Sequence, residues 1–172
     1  MENMFRDLTP LLNPKRVAVI GATERPGSAG RLVLENLKNL DFPGKVYAVH
    51  PKYDQVLGYP CYPDIESIPD QIDMVAVLLG AEKVIPLLES ANKKGVKAAW
   101  ILASGFSESG PEGEIRQREL KEFAQKTGML INGPNCIGVV NMIDRFASYS
   151  VAIGPNTKPG NVSAILHRPG QL

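Results

Sequence analysis

The chain has 172 residues, of which 44% are hydrophobic and 22% are charged, so it fits one globular domain that buries a core without disulfides or a structural metal. The net charge of +1 excludes a broad basic surface for nucleic acid or an anionic membrane, and no apolar run reaches the length of a membrane span. Because the two cysteines also lack metal-ligand spacing, we expect a cytoplasmic protein without a metal, whose cationic sites are local.

Apolar runs of strand length alternate along the chain with segments of helical periodicity, and turn-forming residues separate them. This alternation predicts an α/β fold, a Rossmann-like, doubly wound, mainly parallel sheet with helices on both faces. The last predicted helix is expected to turn Ile115, Leu120 and Phe123 inward. The predicted strands lie over residues 17–20, 45–49, 74–79, 98–102 and 129–131, and the predicted helices lie over residues 30–40, 81–94 and 112–126.

The final part of the chain departs from this pattern. A cluster of Gly, Pro and Asn over residues 132–138 predicts a loop, and residues 141–160 show little periodicity. Residues 162–166 form a plausible strand, either at an edge of this sheet or as the first strand of a second domain. We therefore expect residues 1–160 to form the domain, and residues 161–172 to begin a second domain or to supply that edge strand.

The junction after the first predicted strand carries the strongest functional signal. Gly21, Gly27 and Gly30 lie in a turn that leads directly into a helix. Main-chain N–H groups and the positive end of a helix dipole attract phosphate at such a junction, and small residues let the phosphate approach. The sequence therefore predicts a phosphate-binding turn at the carboxyl end of the sheet, where doubly wound folds bind their ligands.

The residues after the second predicted strand narrow the choice of phosphate ligand. An NAD site normally combines a G-x-G-x-x-G turn with Asp or Glu at the end of the second strand, and neither is present here. That strand ends instead in His50, Pro51 and Lys52, and the ammonium group of Lys52 favours a phosphorylated ribose. Coenzyme A (CoA) and NADP both satisfy this pattern, so the residues alone leave the two ligands open.

A series of short motifs extends over most of the chain. They are N-P-K-R-V-A-V-I-G-A at residues 13–22, P-G-S-A-G at 26–30, G-K-V-Y at 44–47, P-K at 51–52, S-I-P-D at 67–70, A-S-G-F-S-E at 103–108 and G-P-N-C-I-G at 133–138. Together these motifs resemble the CoA-binding domain of the NDP-forming acyl-CoA synthetases, the family of ADP-forming acetyl-CoA synthetase and the alpha subunit of succinyl-CoA synthetase. The G-P-N-C-I-G motif is the most specific of the series.

The resemblance implies a role for each loop at the strand ends. The glycine turn would hold the CoA phosphates, Lys52 would contact the adenosine phosphate, and the loops after the third and fourth strands would flank the adenine and the pantetheine. Asn135 and Cys136 would lie near the thiol, and Cys136 is interpreted as a loop residue rather than a nucleophile, so no catalytic residue is predicted. The complete predicted binding set is Gly21, Ala22, Thr23, Pro26, Gly27, Ser28, Gly30, Pro51, Lys52, Leu78, Leu79, Ser104, Gly105, Phe106, Asn135 and Cys136.

The sequence is compatible with three functions. The first is a CoA-binding domain or subunit of an ADP-forming acyl-CoA synthetase, which binds CoA or acyl-CoA but needs phosphohistidine and ATP-grasp domains or subunits as partners for catalysis. The second is a stand-alone CoA-binding regulatory or carrier protein. Residues 167–170 slightly favour it, because they read His-Arg-Pro-Gly where the family usually has Ser-Gln-Ser-Gly or Ser-Arg-Ser-Gly. The third is an NADP-dependent oxidoreductase domain, although no Tyr-Lys or His-Asp catalytic pair is evident.

Overall fold

A seven-stranded sheet forms the centre of the molecule in the computed structural model, which describes residues 6–165. Its strands are β1 (Arg16–Ile20), β2 (Lys45–Val49), β3 (Gln55–Val56), β4 (Tyr59–Tyr62), β5 (Met74–Val77), β6 (Ala98–Ile101) and β7 (Leu130–Asn132). Their order is β3-β4-β2-β1-β5-β6-β7, and every pair is parallel except the β3–β4 hairpin at one edge. This confirms the predicted Rossmann-like α/β fold.

The central strands are buried on both faces, as their sequences require. β1, β5 and β6 are continuous apolar runs apart from the first residue of β1, which is typical of parallel strands covered by helices on both sides. The chain runs from β1 to one edge of the sheet and then returns to β5, which pairs with the other side of β1. The topological switch point therefore lies between β1 and β5, where open α/β sheets bind their ligands.

Within residues 6–165 the short helix α1 (Thr9–Leu12) precedes β1, and three longer helices connect strands of the sheet: α2 (Ala29–Asn39), α3 (Val84–Lys93) and α4 (Pro111–Thr127). A short 3-10 turn precedes α3, so Pro86 falls in the first helical turn, where its missing N–H group costs little. Within the described residues, no helix has both the length and the apolar character that crossing a membrane requires.

One prediction for α4 was wrong. Leu120 is buried and Phe123 packs against the core as expected, but Ile115 is 47% exposed. The helix turns Gly113 toward the sheet, where it lies against the backbone of Phe106. Because each residue advances by 100°, the position two residues after Gly113 points away from the core.

The hydrophobic core occupies both faces of the sheet. On one face, α3 and α4 pack together with an irregular segment that contributes Ile65, Ile68 and Ile72. On the other face, α2 packs beside an antiparallel hairpin of β8 (Gly138–Asn141) and β9 (Phe146–Tyr149), and Phe146 fills the space between them and the sheet. The sequence did not predict this hairpin or the β3–β4 hairpin.

The strand predicted over residues 162–166 does not form over its described part, residues 162–165. Val162 and Ile165 are 90% and 99% exposed, and no strand of the described sheet pairs with them. β-Branched residues favour a strand only where a neighbouring strand and a packing surface are available, and this segment has neither within residues 6–165. Residue 166 and the His-Arg-Pro-Gly sequence at 167–170 lie outside the described residues.

Candidate nucleotide-binding site

The glycine turn after β1 is shaped by close packing at two of its three glycines. A Cβ atom at Gly21 would lie 2.8 Å from the carbonyl oxygen of Leu78, and Gly21 has φ of +86°. A Cβ atom at Gly30 would lie 2.3 Å from the carbonyl oxygen of Gly21. Gly27, with φ of +73°, has open space around it. The first and third glycines therefore seat α2 against the sheet, and the second leaves the top of the turn accessible.

Hydroxyl groups organise the turn from within. The Ser28 hydroxyl donates to the carbonyl oxygen of Arg25 at 2.7 Å and accepts from the N–H of Arg31 at 3.4 Å, which makes Ser28 the N-cap of α2. The Thr23 hydroxyl accepts from the N–H of Arg25 at 3.2 Å. These groups hold the shape of the turn, while Pro26 and Gly27 form its exposed tip.

Two residues of the predicted binding set are completely buried. Ala22 lies beneath the glycine turn and Phe106 lies beneath α4, each with no exposed surface. Their side chains pack into the core, and their assignment to the binding set stays a prediction. They anchor the loops from below, and the neighbouring exposed residues remain available for binding.

The segment after β2 presents a free cation at the same edge of the sheet. His50 Nδ1 accepts a hydrogen bond from the main-chain N–H of Lys52 at 3.1 Å, and the His50 ring stacks on Tyr53 with 4.6 Å between the ring centroids. Pro51 and Lys52 are exposed, and no salt bridge to the Lys52 ammonium group occurs within residues 6–165. The positive charge predicted from the sequence is thus available to an anion.

An apolar cleft of about 320 Å³ opens beside this segment, at the carboxyl ends of β1 and β2. Ile20 and Val49 close its base, and Leu79 forms part of its wall. The sequence had predicted Leu78 and Leu79 for this region but missed the wall formed by the segment after β4 and by α3, because strand-end positions do not reveal which segments fold over them. That wall consists of Pro63, Asp64, Ile65, Glu66, Pro86, Leu87 and Ser90.

The loop after β6 is held from both sides. The Glu108 carboxylate accepts from the N–H groups of Gly105 at 2.7 Å and Phe106 at 3.3 Å, and Arg116 donates to the carbonyl oxygen of Gly105 at 2.9 Å. Burial alone would raise the pKa of Glu108, but the main-chain hydrogen bonds to its carboxylate outweigh burial, so this pKa lies below its ordinary value. Ser104 stays exposed at the top of the loop.

The loop after β7 contacts the loop after β6 directly. The N–H of Asn135 donates to the carbonyl oxygen of Ala103 at 2.9 Å, and Asn135 has φ of +53°. Cys136 is half-buried, and its Sγ atom lies 3.4 Å from Oδ1 of Asn132. The structure therefore brings Ser104, Gly105, Asn135 and Cys136 to one end of the sheet edge.

Sequence reasoning missed Glu24, the only acidic residue in the glycine turn. Its carboxylate accepts a hydrogen bond from the N–H of Leu57 at 2.7 Å, at the tip of the β3–β4 hairpin. A carboxylate inside a turn that favours anions was the available signal, but its partner lies 33 positions away in the sequence. The structure thus connects the glycine turn to the segment that carries Lys52.

These features are typical of a Rossmann-like nucleotide-binding domain: a glycine turn, a capped helix, an exposed lysine and an apolar cleft lie at the carboxyl ends of the parallel strands. A family model described as CoA binding domain matches residues 15–142. The chain therefore belongs to the CoA-binding domain family, and the resemblance inferred from its motifs is confirmed.

Relatives of this chain include ADP-forming acetate–CoA ligases. The chain is 43% identical over 92% of its length to acetate–CoA ligase [ADP-forming] II of Archaeoglobus fulgidus, and 37% identical over 96% of its length to the alpha subunit of acetate–CoA ligase [ADP-forming] I of Pyrococcus furiosus. It covers only 24% and 36% of these proteins. The solved structure of dinucleotide-forming acetyl-coenzyme A synthetase 1 of Candidatus Korarchaeum cryptofilum, in complex with phosphate and ADP, matches 84% of this chain with a TM-score of 0.79 and 35% identity, over 31% of its own chain.

Proposed function

We propose that the chain is the CoA-binding domain or subunit of an ADP-forming acyl-CoA ligase, which joins a carboxylic acid to CoA as ATP becomes ADP and phosphate. In that reaction CoA is a substrate. The observation that carries the proposal is the pairing of an exposed lysine, Lys52, with an open turn at Gly27, both at the carboxyl ends of the parallel strands and inside the region matched by the family model. The activity of the curated relatives supports the choice of reaction.

The residues present fit the chemistry of CoA. Its pyrophosphate can approach the exposed tip of the glycine turn at Pro26 and Gly27, where the N–H groups that open α2 attract negative charge. Its ribose 3′-phosphate requires a cation, which Lys52 supplies. Its adenine requires an apolar cleft, and the cleft beside Leu79 offers one.

The pantetheine and thiol of CoA are assigned to the loops after β6 and β7. Ser104 and Gly105 present one exposed hydroxyl and a main chain held in place by Glu108 and Arg116. Asn135 and Cys136 lie against this loop. A loop fixed before the ligand binds loses less conformational freedom on binding, so it orients the thiol at a lower cost in free energy.

The reaction itself is proposed to need partners. The family resemblance implies that phosphohistidine and ATP-grasp domains or subunits activate the acid, while this chain positions the thiol that receives the acyl group. We propose that residues 1–160 form the CoA-binding domain and that residues 161–172 lead toward a second domain. The nearly complete exposure of Val162 and Ile165 supports this, because apolar side chains of this size gain free energy from a packing surface.

Calorimetric titration with CoA, dephospho-CoA and NADPH tests the proposal. We expect CoA to bind and dephospho-CoA to bind about tenfold more weakly, since a hydrogen bond to a charged group contributes about 1.5–3 kcal/mol. Lys52→Gln should weaken CoA binding by the same factor and leave dephospho-CoA binding unchanged. Lys121→Gln is the matched control, because Lys121 is an exposed lysine on α4.

The titration also separates the proposal from the NADP-dependent alternative and tests the placement of the 3′-phosphate. Tight binding of NADPH without binding of CoA would overturn it in favour of an NADP-dependent domain. Binding of CoA that is insensitive to Lys52→Gln would overturn the placement of the 3′-phosphate. An equal loss of CoA affinity in Lys52→Gln and Lys121→Gln would also overturn this placement, because the loss would then come from the change in net charge alone.

A further inference from the structure

Glu24 lies where a carboxylate opposes phosphate binding. Its side chain is 47% exposed in the glycine turn, at the edge of the sheet where the anionic ligand is proposed to bind. Like charges about 4 Å apart in water repel by about 1 kcal/mol, and by more near a protein surface. Electrostatics alone would therefore favour a neutral residue at this position, and the contacts of Glu24 show what its carboxylate does instead.

The carboxylate joins two separate parts of the site. Glu24 Oε1 accepts from the N–H of Leu57 at 2.7 Å, and Leu57 has φ of +53° at the tip of the β3–β4 hairpin. We call this hydrogen bond the turn–hairpin bridge. Arg31 steadies its other end, because Nη1 lies 2.7 Å from the carbonyl oxygen of Glu24 and 3.4 Å from its Oε2 atom. Lys38 donates to the carbonyl oxygen of Leu57 at 3.3 Å.

The β3–β4 hairpin is in turn fixed to the segment that carries Lys52. The N–H of His50 donates to the carbonyl oxygen of Tyr62 at 2.9 Å, and the N–H of Cys61 donates to the carbonyl oxygen of Asp54 at 2.9 Å. These bonds hold His50 and Asp54, each two residues from Lys52, against β4. The N–H of Gly21 donates to the carbonyl oxygen of Val49 at 3.0 Å, so the start of the glycine turn is already fixed to the end of β2. The turn–hairpin bridge adds a second connection, from the tip of the hairpin to the middle of the turn.

We propose that Glu24 is a positioning residue that fixes the spacing between the glycine turn and Lys52, and so selects ligands that carry both a pyrophosphate and a ribose 3′-phosphate. This inference rests on the proposed function. A ligand without the ribose phosphate does not engage Lys52, so it gains nothing from the spacing between Lys52 and the glycine turn. Loss of the bridge then weakens binding of CoA, and it leaves binding of dephospho-CoA unchanged or stronger because a negative charge is gone.

The test measures the ratio of the dissociation constants of dephospho-CoA and CoA by calorimetry in three variants. Glu24→Ala removes the bridge and should lower the ratio by about fivefold to tenfold, because the hairpin and the Lys52 segment are then less restrained relative to the glycine turn. Glu24→Gln removes the charge but keeps an oxygen that accepts from Leu57, and should preserve the ratio. Glu35→Ala is the matched control, since Glu35 pairs with the same Arg31 at 2.7 Å but does not hydrogen-bond Leu57.

The outcomes separate positioning from charge. If Glu24→Ala tightens both ligands by a similar factor, Glu24 acts only as an opposing charge and the inference is overturned. The inference would also be overturned if Glu24→Gln lowered the ratio of dissociation constants as much as Glu24→Ala does. Glu24→Gln keeps the bridge, so loss of the bridge would then not explain the lower ratio. Retained binding of dephospho-CoA reports that each variant is folded. If the unmutated chain binds no CoA, the proposed function itself fails, a result distinct from selective loss in Glu24→Ala.

Discussion

The indole Nε1 of Trp100 donates a hydrogen bond of 2.8 Å to the main-chain carbonyl oxygen of Cys136. Trp100 is completely buried in β6, whereas Cys136 belongs to the loop that follows the neighbouring strand β7. The buried side chain of Trp100 thus contacts the loop at which we place the thiol of CoA. The bond couples the packing of the sheet to the shape of that loop.

Replacement of this side chain should destabilise the protein measurably. We expect Trp100→Phe to lower the free energy of unfolding by about 2–4 kcal/mol, because it opens a cavity and leaves the carbonyl of Cys136 without its donor. Cys136→Ala is the control: the hydrogen bond reaches the main chain and survives, so the loss should stay below about 1.5 kcal/mol. Urea unfolding followed by far-ultraviolet circular dichroism gives both values, and equal losses would contradict this account.

Gly30 is expected to tolerate no side chain. The Cβ atom of Gly30→Ala would lie 2.3 Å from the carbonyl oxygen of Gly21, and backbone cannot yield as a flexible side chain can. We expect this variant to lose about 2 kcal/mol or more of unfolding free energy and to bind CoA more weakly, because α2 must move away from the turn. Gly160→Ala, which meets open space, should change neither the thermal midpoint nor the affinity.

Asn36 holds the segment that leaves the β8–β9 hairpin. It is 99% buried in α2, donates to the carbonyl oxygens of Tyr149 and Val151 at 2.9 Å each, and accepts from the N–H of Ile153 at 2.8 Å. We expect Asn36→Ala to lower the free energy of unfolding by about 2–3 kcal/mol, since the segment loses its three hydrogen bonds to this buried side chain. Hydrogen exchange at residues 151–153 should accelerate in this variant.

An exposed asparagine of the same helix supplies the control for this experiment. Asn39 lies at the end of α2 and is exposed, so Asn39→Ala should leave both stability and hydrogen exchange near the values of the unmutated chain. If exchange at residues 151–153 stays slow in Asn36→Ala, the segment is held by other contacts and the assignment is wrong.

The stability contributed by Glu108 should depend on pH in a defined direction. Its pKa in the folded protein is below its ordinary value, because main-chain hydrogen bonds to the carboxylate outweigh the effect of burial. A lowered folded pKa means that the contribution is complete above the ordinary pKa, near 4.5, and is lost as the pH falls through the folded value. The stability difference between the unmutated chain and Glu108→Gln should therefore be constant above about pH 5 and shrink at lower pH.

Chemical unfolding over a range of acidic pH values measures this difference. Glu119→Gln, on the exposed surface of α4, should show no comparable trend and serves as the matched control. A difference that grows as the pH falls would show that the Glu108 carboxylate is destabilising in the folded loop, contrary to the hydrogen bonds to Gly105 and Phe106.

The parallel strands could be predicted because burial on both faces demands continuous apolar runs such as β5. The β3–β4 and β8–β9 hairpins could not be predicted. In β3–β4, Leu57 and Gly58 both have positive φ, but Leu-Gly is not one of the turn pairs that signal a hairpin. In β8–β9 a four-residue loop is organised by the side chain of Asn141, which accepts from two main-chain N–H groups of that loop.

In the candidate site, too, only the features formed by residues close together in the sequence could be predicted. The glycine turn and Lys52 followed from residues adjacent in the sequence. The burial of Phe106, the outer wall of the cleft and the contact between Glu24 and Leu57 depend on which distant segments fold over the sheet edge. Strand-end rules identify the loops of a site, but they do not identify which side chains in those loops support it from below.

A crystal structure of the chain grown with CoA tests the central claim most directly. We predict that the pyrophosphate lies against the exposed tip of the glycine turn at Pro26 and Gly27, and that the 3′-phosphate lies within hydrogen-bonding distance of Lys52 Nζ. Electron density for CoA at another surface, with this edge of the sheet empty, would contradict the account.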